Sequence, residues 1–168
     1  MLFFRGRAAA LSGLALLAML ATEPASACPD PGLGMGVTRA DAGVLAAGIR
    51  RPASVNALHD LRGCPQPGRG FASMFPELVL RLDGSAGGQR MVMSLPGDCD
   101  ATLLVQDPGG GWHFADWTPD APVVLEFERP AAGDWAIFVG LTRQSHCRTT
   151  LEVRGAPAGG QAPLPPKS

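Results

Sequence analysis

From Glu77 onward the chain alternates apolar and polar positions with a period of two. Leu78, Leu80 and Leu82 share one face of a first run, Met91, Met93 and Leu95 of a second, and Ala101, Leu103 and Val105 of a third. Trp112 and Phe114 follow, then Val123, Leu125 and Phe127, then Trp135, Ile137 and Val139, and finally Leu151 and Val153. Such alternation predicts strands with one buried and one wet face. The runs begin near residues 77, 89, 101, 112, 123, 135 and 149, a step of about twelve, and turn chemistry fills the gaps: Asp83-Gly84, Pro96-Gly97, Pro108-Gly109, Pro119-Asp120, Gly133-Asp134. Short strands at that interval predict an all-β, antiparallel β-sandwich of seven to nine strands. Trp112, Phe114, Phe127 and Trp135 would join the aliphatic positions in its core, whose burial at about 25 cal/mol per Å² is the main favourable contribution.

Upstream the pattern is weaker. Residues 28–63 read as an N-terminal arm, in which Val37 to Ile49 fits either a short helix capped from Thr38 or Asp41 or an edge strand. Ser54 to Leu58 is more strand-like, with Val55 and Ala57 on one face, and Cys64-Pro65-Gln66-Pro67-Gly68 is turn or loop. The sandwich is expected over residues 64–154. Residues 155–168, rich in Ala, Gly, Pro and Gln without apolar period, read as a disordered tail.

The first 27 residues change the picture of compartment. Arg5 and Arg7 precede an apolar run from Ala8 to Ala21, and Ala25-Ser26-Ala27 is a small-x-small cleavage site. That is the pattern of a secretory signal peptide, too short in its apolar part to span a bilayer comfortably. Cleavage after Ala27 leaves 141 residues with 12 basic and 14 acidic side chains, a net charge of −2. No basic stripe exists, so no nucleic-acid partner is expected, and no later apolar run is long enough for a membrane span. Lys167 is the sole lysine among the cations, a bias typical of bacterial coding. The protein is expected in the periplasm or secreted, as a monomer.

Four cysteines, Cys28, Cys64, Cys99 and Cys147, suit two disulfides in an oxidising compartment. Three pairings are open; Cys28 with Cys64 and Cys99 with Cys147 is the one expected, the first tying the arm to the sandwich and the second joining two strand ends. A lipid anchor on Cys28 is the alternative, and it would leave an odd thiol.

The stretch Leu95-Pro96-Gly97-Asp98-Cys99-Asp100-Ala101-Thr102-Leu103-Leu104-Val105, the turn Asp107-Pro108-Gly109-Gly110-Gly111-Trp112, and Gly133-Asp134-Trp135-Ala136-Ile137-Phe138-Val139-Gly140 resemble the bacterial pre-peptidase C-terminal domain. The resemblance covers about Cys64 to Val153 and implies a small jelly-roll sandwich attached to, or accompanying, exported proteins. Some members of that family bind calcium through consecutive acids after the aromatic that follows the glycine turn. Here the matching stretch is His113-Phe114-Ala115-Asp116-Trp117-Thr118-Pro119-Asp120, with Trp117 standing where a second carboxylate belongs. A calcium site needs six or more oxygens, so no cofactor is expected.

The candidate chemistry is sparse. Three histidines, His59, His113 and His146, are available to a triad, but no Gly-x-Ser-x-Gly elbow accompanies them. Zinc at His113, Asp116 and His146 fits no ligand spacing, and His113 reads as a solvated residue on the outward face of its strand. Catalysis is therefore not expected, and an unrecognised hydrolase is the weakest reading. Trp117 in its loop, with Asp116, His113 and Asp120, forms the candidate ligand-binding group, because an exposed tryptophan beside carboxylates stacks on sugars or grips peptides. The opposing reading folds Trp117 back over one end of the sandwich. Two functions follow: a binding or accessory module that engages a protein or glycan through the Asp107–Asp120 loops, or a structural or chaperone-like protein acting through a sheet edge.

Overall fold

A computed structural model describes residues 27–56, 59–96, 99–143 and 145–157. Residues 1–26 of the segment read as a signal peptide, and residues 158–168 of the stretch read as a tail, lie outside the described residues. Within them the chain is an all-β sandwich of two sheets.

The larger sheet comprises β1 (Val37–Ala40), β3 (His59–Asp60), β4 (Phe71–Ala72), β5 (Leu78–Leu82), β7 (Ala101–Gln106), β8 (Trp112–Ala115) and β10 (Gly133–Leu141). β10 is its spine: β7 lies along one side of it, while β5 and then the short β4 share the other. β1 pairs with the far side of β5, and β8 with the far side of β7. The smaller sheet runs β2 (Ile49–Asn56), β11 (His146–Pro157), β6 (Gln89–Leu95), β9 (Val123–Phe127). Every pairing between strands is antiparallel except that of β1 with β5.

The main core is what the alternation predicts for most strands. Leu78, Leu80, Leu82, Met91, Met93, Leu95, Leu103, Val105, Trp135, Ile137, Leu151 and Val153 are buried in one cluster between the sheets. The ambiguous stretch is both strand and helix: β1 is followed by the six-residue α1 (Ala42–Ala47). Asp41 caps α1, its Oδ1 accepting from the Val44 N–H at 2.8 Å, and the fully buried Leu45 anchors it to the core. A helix this short is marginal alone, so its packing holds it.

Three boundaries differ from the sequence expectation. The arm 28–63 is part of the sandwich, because β1 and β2 are edge strands of the two sheets and Ala40, Ala53 and Val55 belong to the main core. Of the pair expected on one face of the second strand, Val55 is buried, while Ala57 lies outside the described residues. β11 continues to Pro157, pairing Gly155 with Met91 and Pro157 with Gln89, so the first three residues assigned to the tail extend the sheet.

The disulfides are Cys28–Cys64 and Cys99–Cys147, the pairing expected, so the Cys28 thiol is committed to Cys64. Cys99 lies just before β7 and Cys147 lies in β11, so this bridge joins the two sheets. No helix among the described residues is long and apolar enough to cross a membrane.

A second, smaller core covers the outer face of the larger sheet. Leu104 and Phe138 sit on the face that alternation leaves wet, yet they are buried with Leu61, Ala72 and Ala136. Trp112 and Phe114 pack there rather than between the sheets, which corrects their assignment to the main core. The register explains it: Phe138 pairs with Leu104, and Leu104 with Phe114, so the three share the outer face. The lid is the segment from His59 to Ala72, held by Cys28–Cys64 and by an Arg69–Asp116 ion pair. Gly68, at φ +121°, lets this segment lie on the Phe114 ring, because a Cβ there would fall 2.6 Å from it.

Candidate functional site

In the stretch favoured on sequence grounds, the turn that opens it closes on its own carboxylate. After β7, Asp107 Oδ1 accepts from the N–H of Gly109 at 2.8 Å and of Gly111 at 2.9 Å. The Gly110 N–H donates to the Asp107 carbonyl, and Gly110 takes φ +85°, a conformation glycine adopts without steric cost. His113 Nε2 lies 2.8 Å from Asp107 Oδ2. The ring also meets Phe127 edge-on at 4.9 Å, and Phe127 meets Trp135 at 4.7 Å. His113 is therefore half-buried on the inner face, in register with Val105, and not solvated on the outer face. The reason is the parity of β8: Trp112 and Phe114 occupy the outer face, which leaves position 113 to the inner one.

Burial pushes the Asp107 carboxyl up, but the hydrogen bond to His113 and those from the Gly111 and Gly109 N–H groups outweigh it and hold the pKa below the ordinary value. The hydrogen-bonded Arg143 and Arg81 likewise lower Asp100 and Asp134 against the opposing effect of burial. A folded pKa below the unfolded one contributes stability that is present above about pH 4 and lost as the pH falls through the lowered value. Resistance to urea unfolding is therefore expected to fall below about pH 4, and Asp107→Asn to flatten part of that dependence. Equal slopes for the variant and the parent between pH 7 and pH 3 would refute the assignment.

The remaining sequence candidates are placed as follows. Trp117 packs against the main core, and its Nε1 is buried without a hydrogen-bond partner among the described residues. Asp116 accepts from Arg69 Nε at 2.5 Å and from the Trp117 N–H at 3.0 Å, which commits both its oxygens. Asp120 is exposed at the tip of the turn closed by the Thr118–Ala121 bridge. Thus Asp107, His113 and Phe127 are brought together; Asp116 is drawn away to the lid, and Asp120 stands apart. Among the described residues no three His, Cys, Asp or Glu side chains are grouped to hold a metal ion, His113, Asp116 and His146 included.

A different place emerges at the opposite edge of the same sheet. Among the described residues the exposed large hydrophobics are Met35 at 98 %, Phe75 at 50 %, Val37 at 48 % and Val44 at 39 %. All four border β1. Met35, Val37 and Phe75 line a groove of about 590 Å³ at its start, which reaches Arg51 of β2 and Glu77. Val44 lines a second hollow of about 270 Å³ at its end, with Arg39 and Arg81. The backbone between them is an open strand edge. The Ala40 carbonyl accepts from the Asp83 N–H on the β5 side, so by strand alternation the N–H and C=O of Val37 and Arg39 point away from β5. Burial raises the Glu77 pKa, and Arg51, 3.8 Å away, acts against it. Sequence reasoning named a sheet edge but not this one; the apolar Met35, Val37 and Val44 in a segment without period were the available signal.

Comparison of the chain with protein-family models, with curated proteins and with solved structures found no match.

Proposed function

We propose that the chain is an exported, non-catalytic binding module, of the kind the pre-peptidase C-terminal resemblance suggests, and that it engages a partner protein at the β1 edge. The observation that carries this reading is that the four exposed large hydrophobics among the described residues all border one open strand. An open edge is a template for another strand, and monomeric domains usually blunt such edges with proline, charge or covering structure. The β2, β8 and β9 edges carry such protection, and the β3 edge is only two residues long. β2 has Pro52 within it, and β8 and β9 are clamped side by side through His113 and Phe127. Export is supported by the signal-like N-terminal segment and the two disulfides, which persist in oxidising compartments.

The test is photo-crosslinking in the producing cells, with a photoreactive phenylalanine analogue in place of Phe75 or, separately, of Asp120. A discrete partner adduct from position 75 and none from position 120 is expected. Adducts from position 120 alone would return the binding surface to the loop and overturn the edge reading.

A further inference from the structure

The charges beside β1 narrow what such a partner strand carries. Val37 and Arg39 lie on the outer face of the larger sheet, in register with Val79 and Arg81 of β5. Arg81 is in register with Asp134 of β10 and donates to it from Nε and Nη2, one to each carboxylate oxygen, at 2.5 Å. The row across the sheet is therefore Arg39, Arg81, Asp134, two cations and one anion. Asp134 is fully occupied by Arg81, and Arg39 reaches it only at longer range. Among the ion pairs formed between described residues, none involves Arg39. Like charges placed side by side on a sheet are unfavourable, and opposite charges are favourable.

We infer that β1 accepts an extended segment of a partner polypeptide bearing an apolar residue beside Val37 and a carboxylate beside Arg39, two positions apart on one face of the added strand. The apolar residue extends the Met35–Val37–Phe75 surface, and the carboxylate completes an alternating row of acid, Arg39, Arg81 and Asp134. The two-residue interval follows from the strand period, whichever direction the segment runs. A second copy of this chain fits poorly, because it supplies no acid: antiparallel pairing centred on Thr38 sets each Arg39 opposite Val37 of the copy, and pairing centred on Arg39 brings the two Arg39 side chains together. This inference rests on the edge reading above and adds the chemistry of the occupant.

The probe is a phage-displayed random peptide library selected on the full oxidised chain, with selected peptides then measured by titration calorimetry. Enriched sequences are expected to share an apolar residue and an Asp or Glu two positions apart. Replacing that acid by Lys should weaken binding about tenfold, and Arg39→Glu should reverse the preference. Val37→Pro removes an outward N–H without touching the bonds to β5 and should abolish binding at an unchanged melting midpoint. Where that variant lowers the midpoint, Met35→Asp, at a side chain in full contact with water, serves as the block. Binding that is lost in the blocked variant yet indifferent to the Arg39 charge overturns the acidic inference and leaves the edge reading standing. Binding insensitive to the block, or no enrichment, overturns both. A dimer by light scattering that the block dissolves assigns the edge to a second copy and overturns the inference.

Discussion

Phe138→Ala is expected to destabilise the protein by about 3–5 kcal/mol, the range for emptying a fully buried aromatic site. Phe138 is completely buried, yet it lies on the face of β10 that alternation leaves to solvent. Its ring meets Trp112 at 5.7 Å, and Leu61, Leu104 and Ala136 complete the cluster. Removing it opens a cavity between the sheet and the 59–72 lid, and the backbone limits how far that lid can settle. Gly68 is already against the Phe114 ring, and the Cys28–Cys64 bridge holds the segment at its middle. The check is the urea midpoint of the oxidised variant. A cost below about 1 kcal/mol, typical of exposed positions, would mean that the outer face is wet and the lid does not cover it.

Replacing Cys99 and Cys147 together by alanine is expected to cost about 4 kcal/mol, the chain-entropy value for a loop of this length. The bridge closes a separation of 48 residues and joins the strand β11 of the smaller sheet to the chain entering β7 of the larger. Without it the unfolded chain gains freedom, and the sheets are joined by side-chain packing and by their connecting loops alone. The double variant avoids leaving an odd thiol, and its unfolding is compared with that of the parent under oxidising conditions. A loss confined to a few tenths of a kcal/mol would show that the two sheets are held by the Leu80, Met93, Leu103 and Ile137 core without covalent help, against the entropic argument.

The strands of the main core were legible because their signal is local. Leu78-Leu80-Leu82 and Met91-Met93-Leu95 report a shared face through backbone geometry alone, and turn residues such as Asp107-Pro108-Gly109 mark where each run ends. Local capping also explains how one segment holds both β1 and α1, since the Asp41 carboxylate accepts from the Val44 N–H immediately after the strand. The candidate site was less legible. Alternation places Trp112 and Phe114 on one face but not on which side of a sheet that face lies, so His113 was assigned to water and is found against Phe127. Trp117 shows the same limit: its loop is evident in the sequence, whereas its packing on the main core depends on strands far away in the chain.

By itself the sequence determined the all-β class, the position of most strands and the chemistry of the turns, because these follow from side-chain period and backbone preference within a few residues. It also contained the cysteines, whose pairing follows once the strand ends are near one another. Only the tertiary structure decided that the larger sheet is covered on both faces, that Asp107 spends its carboxylate on its own turn and on His113 while Asp116 is drawn to Arg69, and that β1 is left as an open edge bordered by Met35, Val37, Val44 and Phe75. Those are properties of what lies across a gap from each residue, and neither a run of residues nor its period contains them.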